Sequence, residues 1–185
     1  ATNATANLAD NFSNATHDFG ADGAGTITSA YVLSVNTTNA TGLVDVATNE
    51  AVVLSVNGSG VVEGRTATSG DLVFTVSVDG TGTVELDQIR AIQHADPNNA
   101  DESLSLAAAD QIQLTRTDTI TDKDGDSAQS SDAIDLGQAI AFKDDGPSIT
   151  VSATTAADAL VVDETTLATN ATANLADNFS NATHD

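Results

Sequence analysis

The segment Asp122-Lys-Asp-Gly-Asp126 sets three carboxylates at alternating positions around a glycine that permits a sharp turn. Oxygens so spaced converge on one point, and the chemistry they offer is capture of a hard divalent cation. Left alone, two carboxylates ~4 Å apart repel by about 1–4 kcal/mol, depending on the local dielectric. A bound calcium ion (Ca2+) turns that penalty into attraction. The segment begins like an EF-hand loop but lacks the Glu at its twelfth position and the flanking helices, which excludes that motif. The plainer reading is an acidic β-turn.

Three further acidic groups stand elsewhere in the chain: Asp144-Asp145 before Gly146-Pro147, Asp163-Glu164, and Asp18 with Asp22-Gly23. Each also reads as solvated surface. The candidate metal ligands are therefore Asp122, Asp124, Asp126, Asp144, Asp145, Asp163, Glu164 and Asp22. Pro147 cannot extend a ladder, so Asp144–Pro147 is expected to close the last strand of a domain.

These groups sit in a chain with 27 acidic residues against five basic ones, a formal charge of −22. Such a balance excludes nucleic acid, whose phosphates need a basic footprint, and disfavours anionic lipid surfaces. It repels itself in the folded state unless cations neutralise it. A salt-adapted solvated surface is the alternative to divalent-cation binding. Cysteine is absent, which leaves a metal as the available staple. No segment is apolar for long enough to cross a membrane as a helix, so no membrane insertion is expected. The chain opens without a basic and apolar leader, so it reads as either cytosolic or the interior of a longer exported chain.

A repeat points to the second. Residues 168–185 read ATNATANLADNFSNATHD, identical to residues 1–18, an offset of 167. That period is too long for a solenoid and suits a whole domain copied in tandem. Residues 1–147 are taken as one domain and 148–185 as the start of the next copy. The partners expected are neighbouring copies of the same domain. An unpaired sandwich edge also invites edge-strand pairing or a domain swap with another chain, and whether 148–185 packs on its own domain or a neighbour stays open.

The elements that would position these residues read as strands. Ile27, Tyr31, Leu33 and Val35 share a face; so do Val52, Leu54 and Val56, and so do Leu72, Phe74, Val76 and Val78. Ile134, Leu136, Ile140 and Phe142 form another set, with Gln138 as the odd member. This period of two is the pattern of half-buried strands. Turn signals at Asn57-Gly, Ser69-Gly, Asp79-Gly, Asp96-Pro and Asp124-Gly separate them. The fold expected is all-β: an antiparallel, immunoglobulin-like (cadherin-like) β-sandwich. Helical turns are expected only near Asn7–Phe12 and Leu86–Ala91. Residues 129–142 read as one strand of roughly 46 Å at about 3.3 Å per residue. Asp122–Asp126 and Asp144–Asp145 would then lie at opposite ends of the domain, and calcium shared at a tandem junction would freeze the inter-domain angle.

Catalysis is not expected. The distinct histidines are His17 and His94, and there is neither a cysteine nucleophile nor a Gly-x-Ser-x-Gly elbow. Paired carboxylates could serve glycoside hydrolysis, but aromatics at 3% leave little for a sugar platform.

The segments TDTITDKDGD (117–126) and FKDDGPSI (142–149) resemble the repeat of type I-secreted RTX adhesins, the large agglutinins of Gram-negative bacteria. FGADG (19–23), GTVELDQ (82–88), AIQH (91–94) and VDE (162–164) are similar to the same repeat. The resemblance implies a calcium-stabilised extender domain on the bacterial cell surface, extracellular, exported by a type I system and used in attachment and biofilm formation. The alternative is a terminal module binding sugar, peptide or ice, which repetition weakens because such domains usually occur once at a tip.

Overall fold

The computed structural model describes residues 2–13, 16–38, 40–153 and 160–180. Ten strands follow in order: β1 (Thr2–Asn7), β2 (Thr26–Val35), β3 (Val52–Val56), β4 (Val62–Thr66), β5 (Leu72–Val78), β6 (Thr83–Gln88), β7 (Ser103–Ser105), β8 (Ile112–Thr121), β9 (Ser127–Asp135) and β10 (Ala141–Lys143). Among the described residues the only helical segments are three-residue 3-10 turns at Ala9–Asn11, Glu164–Thr166 and Ala176–Asn178.

All the pairings between strands are antiparallel. Five strands pair in the order β1-β6-β5-β4-β3, three in the order β2-β8-β9, and β10 pairs with β7. One apolar core joins the sheets into a β-sandwich. The five-stranded sheet supplies Val52, Leu54, Val62, Phe74, Val76 and Val84, the three-stranded sheet Leu33, Ile112 and Leu114. Val73 of β5, with Leu43, Ile92, Leu106, Leu136, Ile140 and Phe142, completes it. Its aromatic pair is Phe74 and Phe142, with ring centroids 5.0 Å apart and planes at 55°. Gly64 of β4 lies directly over Phe74: a Cβ there would stand 2.2 Å from the ring. A strand glycine is unfavourable by itself, and here it makes room for the largest core side chain.

Two expectations need correction. Residues 129–142 are not one strand. β9 ends at Asp135, and the amides of Ala139 and Ile140 both donate to the Leu136 carbonyl at 3.0 Å, so the chain turns and enters another sheet as β10. Leu136, Ile140 and Phe142 are all buried, but the turn rather than a shared strand face brings them inward. Gln138, the odd member, marks the break: its amide donates to the Leu106 carbonyl. Nor do residues 86–88 turn; they finish β6, clasped between β1 and β5. Val73 departs from alternation too, buried like its neighbour Phe74, where the β4–β5 register shifts: Gly64 pairs with Phe74 but Arg65 with Leu72, which leaves Val73 as the extra residue of a bulge.

The chain divides into two compact units, one of residues 1–98 and 102–144, the other of residues 99–101 and 145–185. The described part of the second holds two 3-10 turns and one antiparallel bridge, Ala153 to Phe179. Leu160, Val161, Val162 and Leu167 are exposed in it.

The repeated sequence thus appears in two conformations. TNATAN at 2–7 is β1, whereas the same letters at 169–174 form no strand. The following 3-10 turn forms in both places, over Ala9–Asn11 and Ala176–Asn178. Each turn is set by its own asparagine: the Asn7 side-chain oxygen accepts from the Ala9 amide, and that of Asn174 from the Ala176 amide. The turn is a local product of sequence, while the strand needs a partner.

Candidate metal centre

The three-stranded sheet outruns the core. Leu33 of β2 is buried, but Thr26–Ala30 are exposed, as are Ser127–Ala133 of β9. From Leu33 to Thr26 the ribbon extends about 23 Å at 3.3 Å per residue. At its tip the β8–β9 hairpin closes through residues 122–126. Pairing of Thr26 with Thr121 fixes the approach to β2 against that hairpin.

The hairpin loop is built around Asp122. One of its carboxylate oxygens accepts from the amides of Gly125 (3.0 Å) and Asp126 (2.9 Å), and its own amide donates to the Asp126 carbonyl at 3.0 Å. Gly125 has φ +107°, a conformation that side chains resist and that the tight loop requires. The second contributor comes from far away in sequence. Gly25 passes so close to the hairpin that a Cβ on it would meet the Thr121 carbonyl oxygen at 2.1 Å. This close pass brings in the loop before β2, and with it Asp22. One carboxylate oxygen from each of Asp22, Asp122 and Asp124 lies within 4.8 Å of the others.

That triad suits a hard cation on geometric grounds. Oxygens on opposite sides of a calcium ion stand about 4.6–5.2 Å apart, twice the usual Ca–O distance of about 2.3–2.6 Å. Three carboxylates within that span match the hard-oxygen preference and supply part of the roughly six to eight ligands needed. The electrostatics are those of crowded acids. A hydrogen bond shared with Asp124, with the amides of Gly125 and Asp126, holds Asp122 below the usual carboxylate range. The same contact and the charge of Asp122 push Asp124 upward.

The other expected ligands lie elsewhere. Asp126 joins the loop through its backbone, and its carboxylate is outside the triad. The Asp144 amide donates to the Glu102 carbonyl at 2.8 Å, just past β10. Asp163 caps the Glu164–Thr166 turn, accepting from the hydroxyl and the amide of Thr165, and these bonds lower its pKa. Glu164 is exposed in the first turn of that segment. Asp145 belongs to the second unit. Asp18 accepts from the Gly20 amide at 2.9 Å, making the turn that leads to Asp22. With the 129–142 strand broken, β9 alone carries the chain about 30 Å from the hairpin. No continuous strand then sets Asp122–Asp126 and Asp144–Asp145 at its two ends.

The turn expected at Asp79-Gly is built by the aspartate carboxylate itself. Asp79 accepts from the Thr81 hydroxyl and from the amides of Thr81 and Thr83, all of which lower its pKa. Arginines take others: Arg65 pairs with Glu63 at 2.7 Å and Arg116 with Asp118 at 2.8 Å. The pair of buried Asp45 and half-buried Arg90 had no signal in sequence, since its members are separated by 45 residues and neither stands in a motif. His94 is half-buried, its Nδ1 4.0 Å from Glu102.

No helix among the described residues is long and apolar enough to cross a membrane. Neither a curated protein nor a solved structure matches the chain. A family profile does, over residues 1–137, a stretch that takes in β1 through β9 and the whole acidic tip. The chain belongs to that family, described as a domain of unknown function, DUF5801.

Proposed function

We propose that this chain is a calcium-stabilised structural extender module of a large, repetitive bacterial surface adhesin. It would act outside the cell, projecting a binding tip for attachment and biofilm formation, and its neighbours would be copies of itself. The observation that carries the reading is the convergence of Asp22, Asp122 and Asp124 at the tip of the β2-β8-β9 ribbon. An exact repeat at an offset of 167 residues supplies the second half, because identical domains in series build length.

In this reading the residues have separate tasks. Asp122 shapes the hairpin through its two amide contacts and presents its carboxylate to the ion. Asp124 and Asp22 add charge, and Gly25 holds the two loops together. The ion supplies neutralisation that five basic residues cannot give to 27 acids. Metal that binds only the folded form stabilises it by mass action. At low free calcium the chain stays loose; at high calcium the ribbon tip sets.

Thermal melts of the whole chain in calcium, in magnesium and in chelator test this. Calcium should raise Tm well beyond magnesium, whose strict octahedral demand and reluctance to shed water fit three loop carboxylates poorly. Equal melting in calcium and chelator would remove the basis of the proposal.

A further inference from the structure

The β3–β4 hairpin turns through Asn57-Gly-Ser-Gly-Val61, and Asn57 is the only asparagine of the chain that a glycine follows. Its side-chain amide is held at three points. Oδ1 accepts from the amides of Ser59 at 2.9 Å and Val61 at 3.1 Å, and Nδ2 donates to Glu63 at 2.9 Å. The backbone is fixed too: the Asn57 amide donates to the Val61 carbonyl at 2.9 Å, and its carbonyl accepts from Gly60 at 3.0 Å. The bond from Ser59 closes an Asx turn, in which the side chain folds back over the following peptide. In such a turn the Asn57 Cγ lies toward the Gly58 nitrogen, the two atoms that a five-membered ring would join. Gly58 offers no obstacle. It is exposed, and apart from its chain neighbours no heavy atom lies within 4 Å of where its Cβ would stand. Among the described residues its amide has no acceptor.

The chain builds the same turn a second time on an aspartate. In Asp79-Gly-Thr-Gly-Thr83, Oδ1 again accepts from the second and fourth amides ahead, Thr81 at 2.8 Å and Thr83 at 3.0 Å. The Asp79 amide donates to the Thr83 carbonyl at 3.0 Å, and its carbonyl accepts from Gly82 at 3.2 Å. An aspartate therefore fits the place that Asn57 holds. The two turns differ in reactivity. Those hydrogen bonds favour ionised Asp79, and a carboxylate resists attack by nitrogen. The Asn57 carboxamide is neutral and open to attack. Its two amide donors, at 2.9 and 3.1 Å, stand where an oxyanion hole would place them for charge building on Oδ1.

We infer that Asn57-Gly58 is a self-modifying site, at which the folded hairpin deamidates its own asparagine and is loosened by the product. The Gly58 nitrogen attacks the Asn57 Cγ and forms the new N–C bond, while its proton passes through water to Nδ2. The Cγ–Nδ2 bond then breaks, ammonia leaves, and a cyclic imide remains. Water opens the imide. Cleavage at one carbonyl restores the main chain with aspartate at 57; cleavage at the other reroutes it through the side chain as isoaspartate. Nothing is oxidised or reduced, and water is the only co-reactant. In the aspartate product an oxygen stands where Nδ2 stood, facing the Glu63 carboxylate, whose other oxygen already holds Arg65 at 2.7 Å. A hydrogen bond across the β3–β4 hairpin becomes a repulsion between like charges. The inference stands apart from the calcium reading and needs no metal at the reacting atoms.

Incubation of the whole chain in warm, mildly alkaline water enriched in heavy oxygen tests it, with peptide mapping by mass spectrometry. The peptide holding residue 57 should exchange its amide for a labelled hydroxyl, and ion exchange should show one added negative charge. Conversion should run several-fold faster in the folded chain, verified by circular dichroism, than in the same chain held in urea. Slower loss of Asn57 in the fold than in urea would overturn the inference. S59P strips one of the two amide donors to Oδ1. It should slow the folded reaction several-fold and leave the rate in urea nearly unchanged; equal folded rates would count against self-catalysis just as firmly. N57D reads the consequence, since it carries the product from the start. Its Tm should fall by roughly 2–5 °C, and N57D/E63Q should recover the loss, because the new amide can donate to the new carboxylate. An N57D chain that melts with its parent would refute the loosening.

Discussion

Arg90 grips the carboxylate of Asp45 with two hydrogen bonds of 2.9 Å each, one to each oxygen. Asp45 is wholly buried, and Thr48 adds its amide at 2.9 Å and its hydroxyl at 2.7 Å. The pair ties the loop before β3 to the loop after β6, where Asp45 and Ile92 also form a β-bridge. The arginine hydrogen bonds come first among the causes that hold the Asp45 carboxyl far below its ordinary value of 3.8. Arg90→Ala would strand a buried charge, so Tm should fall by roughly 6–15 °C. The sign with pH follows from the depressed pKa: the folded state favours ionised Asp45, so its contribution is complete at neutral pH and is lost as pH drops below 3.8. Melts of both proteins across pH should converge in acid. A constant gap down to strong acid would contradict the assignment.

Protons and calcium should compete at the acidic tip as pH falls into the acid range. In chelator the two carboxylates pull in opposite directions: raised Asp124 favours the fold as pH falls, and lowered Asp122 opposes it. In calcium, protons compete with the ion for the same oxygens, and the calcium-dependent part of Tm should shrink over the same range. At a hundredfold excess over Kd, one site should raise Tm by roughly 5–10 °C at pH 7. D124N should remove most of that increment and raise Tm in chelator.

Gly25 is the test of convergence without touching a ligand. Its Cβ would strike the Thr121 and Asp122 carbonyl oxygens at 2.1 and 2.6 Å. G25A should force the Asp22 loop from the hairpin and weaken calcium binding at least tenfold in calorimetry, with a smaller loss in chelator Tm. Unchanged calcium affinity would show that Asp22 is not needed.

At the core, Gly64→Ala should cost about 3 kcal/mol, because its Cβ meets three atoms of the Phe74 ring between 2.2 and 2.6 Å. Phe142→Ala empties the space beside the same ring and should cost about 3–5 kcal/mol. Denaturant melts measure both. If G64A were neutral, the Phe74 ring would have to move freely, contrary to its complete burial.

Much of the fold was legible. Alternation found β3 and the inward face of β5, and turn pairs such as Asn57-Gly and Asp79-Gly fell at real hairpins, where the asparagine and aspartate oxygens hold the following amides. Reading failed where tertiary contact overrides pattern. The spacing of Leu136, Ile140 and Phe142 mimics a strand, but three-centre bonding at the Leu136 carbonyl folds it. Leu86–Gln88 has no intrinsic bias strong enough to show that it would be gripped on both edges. At the site, Asp122 and Asp124 declared themselves by spacing, whereas Asp22 looked like a weak separate cluster. Only the pairing of Thr26 with Thr121 brings it in, and strand register is not written in local sequence.

β1 waits for a partner that arrives some 82 residues later, whereas its trailing turn needs nothing beyond one asparagine. In a series of identical domains the winner at each new β6 rim is then decided by which end emerges first. Threaded from the amino end, a domain finds its own first strand already outside. Threaded from the other end, it meets its successor's strand sooner than its own, and faithful pairing depends on the later arrival evicting the earlier.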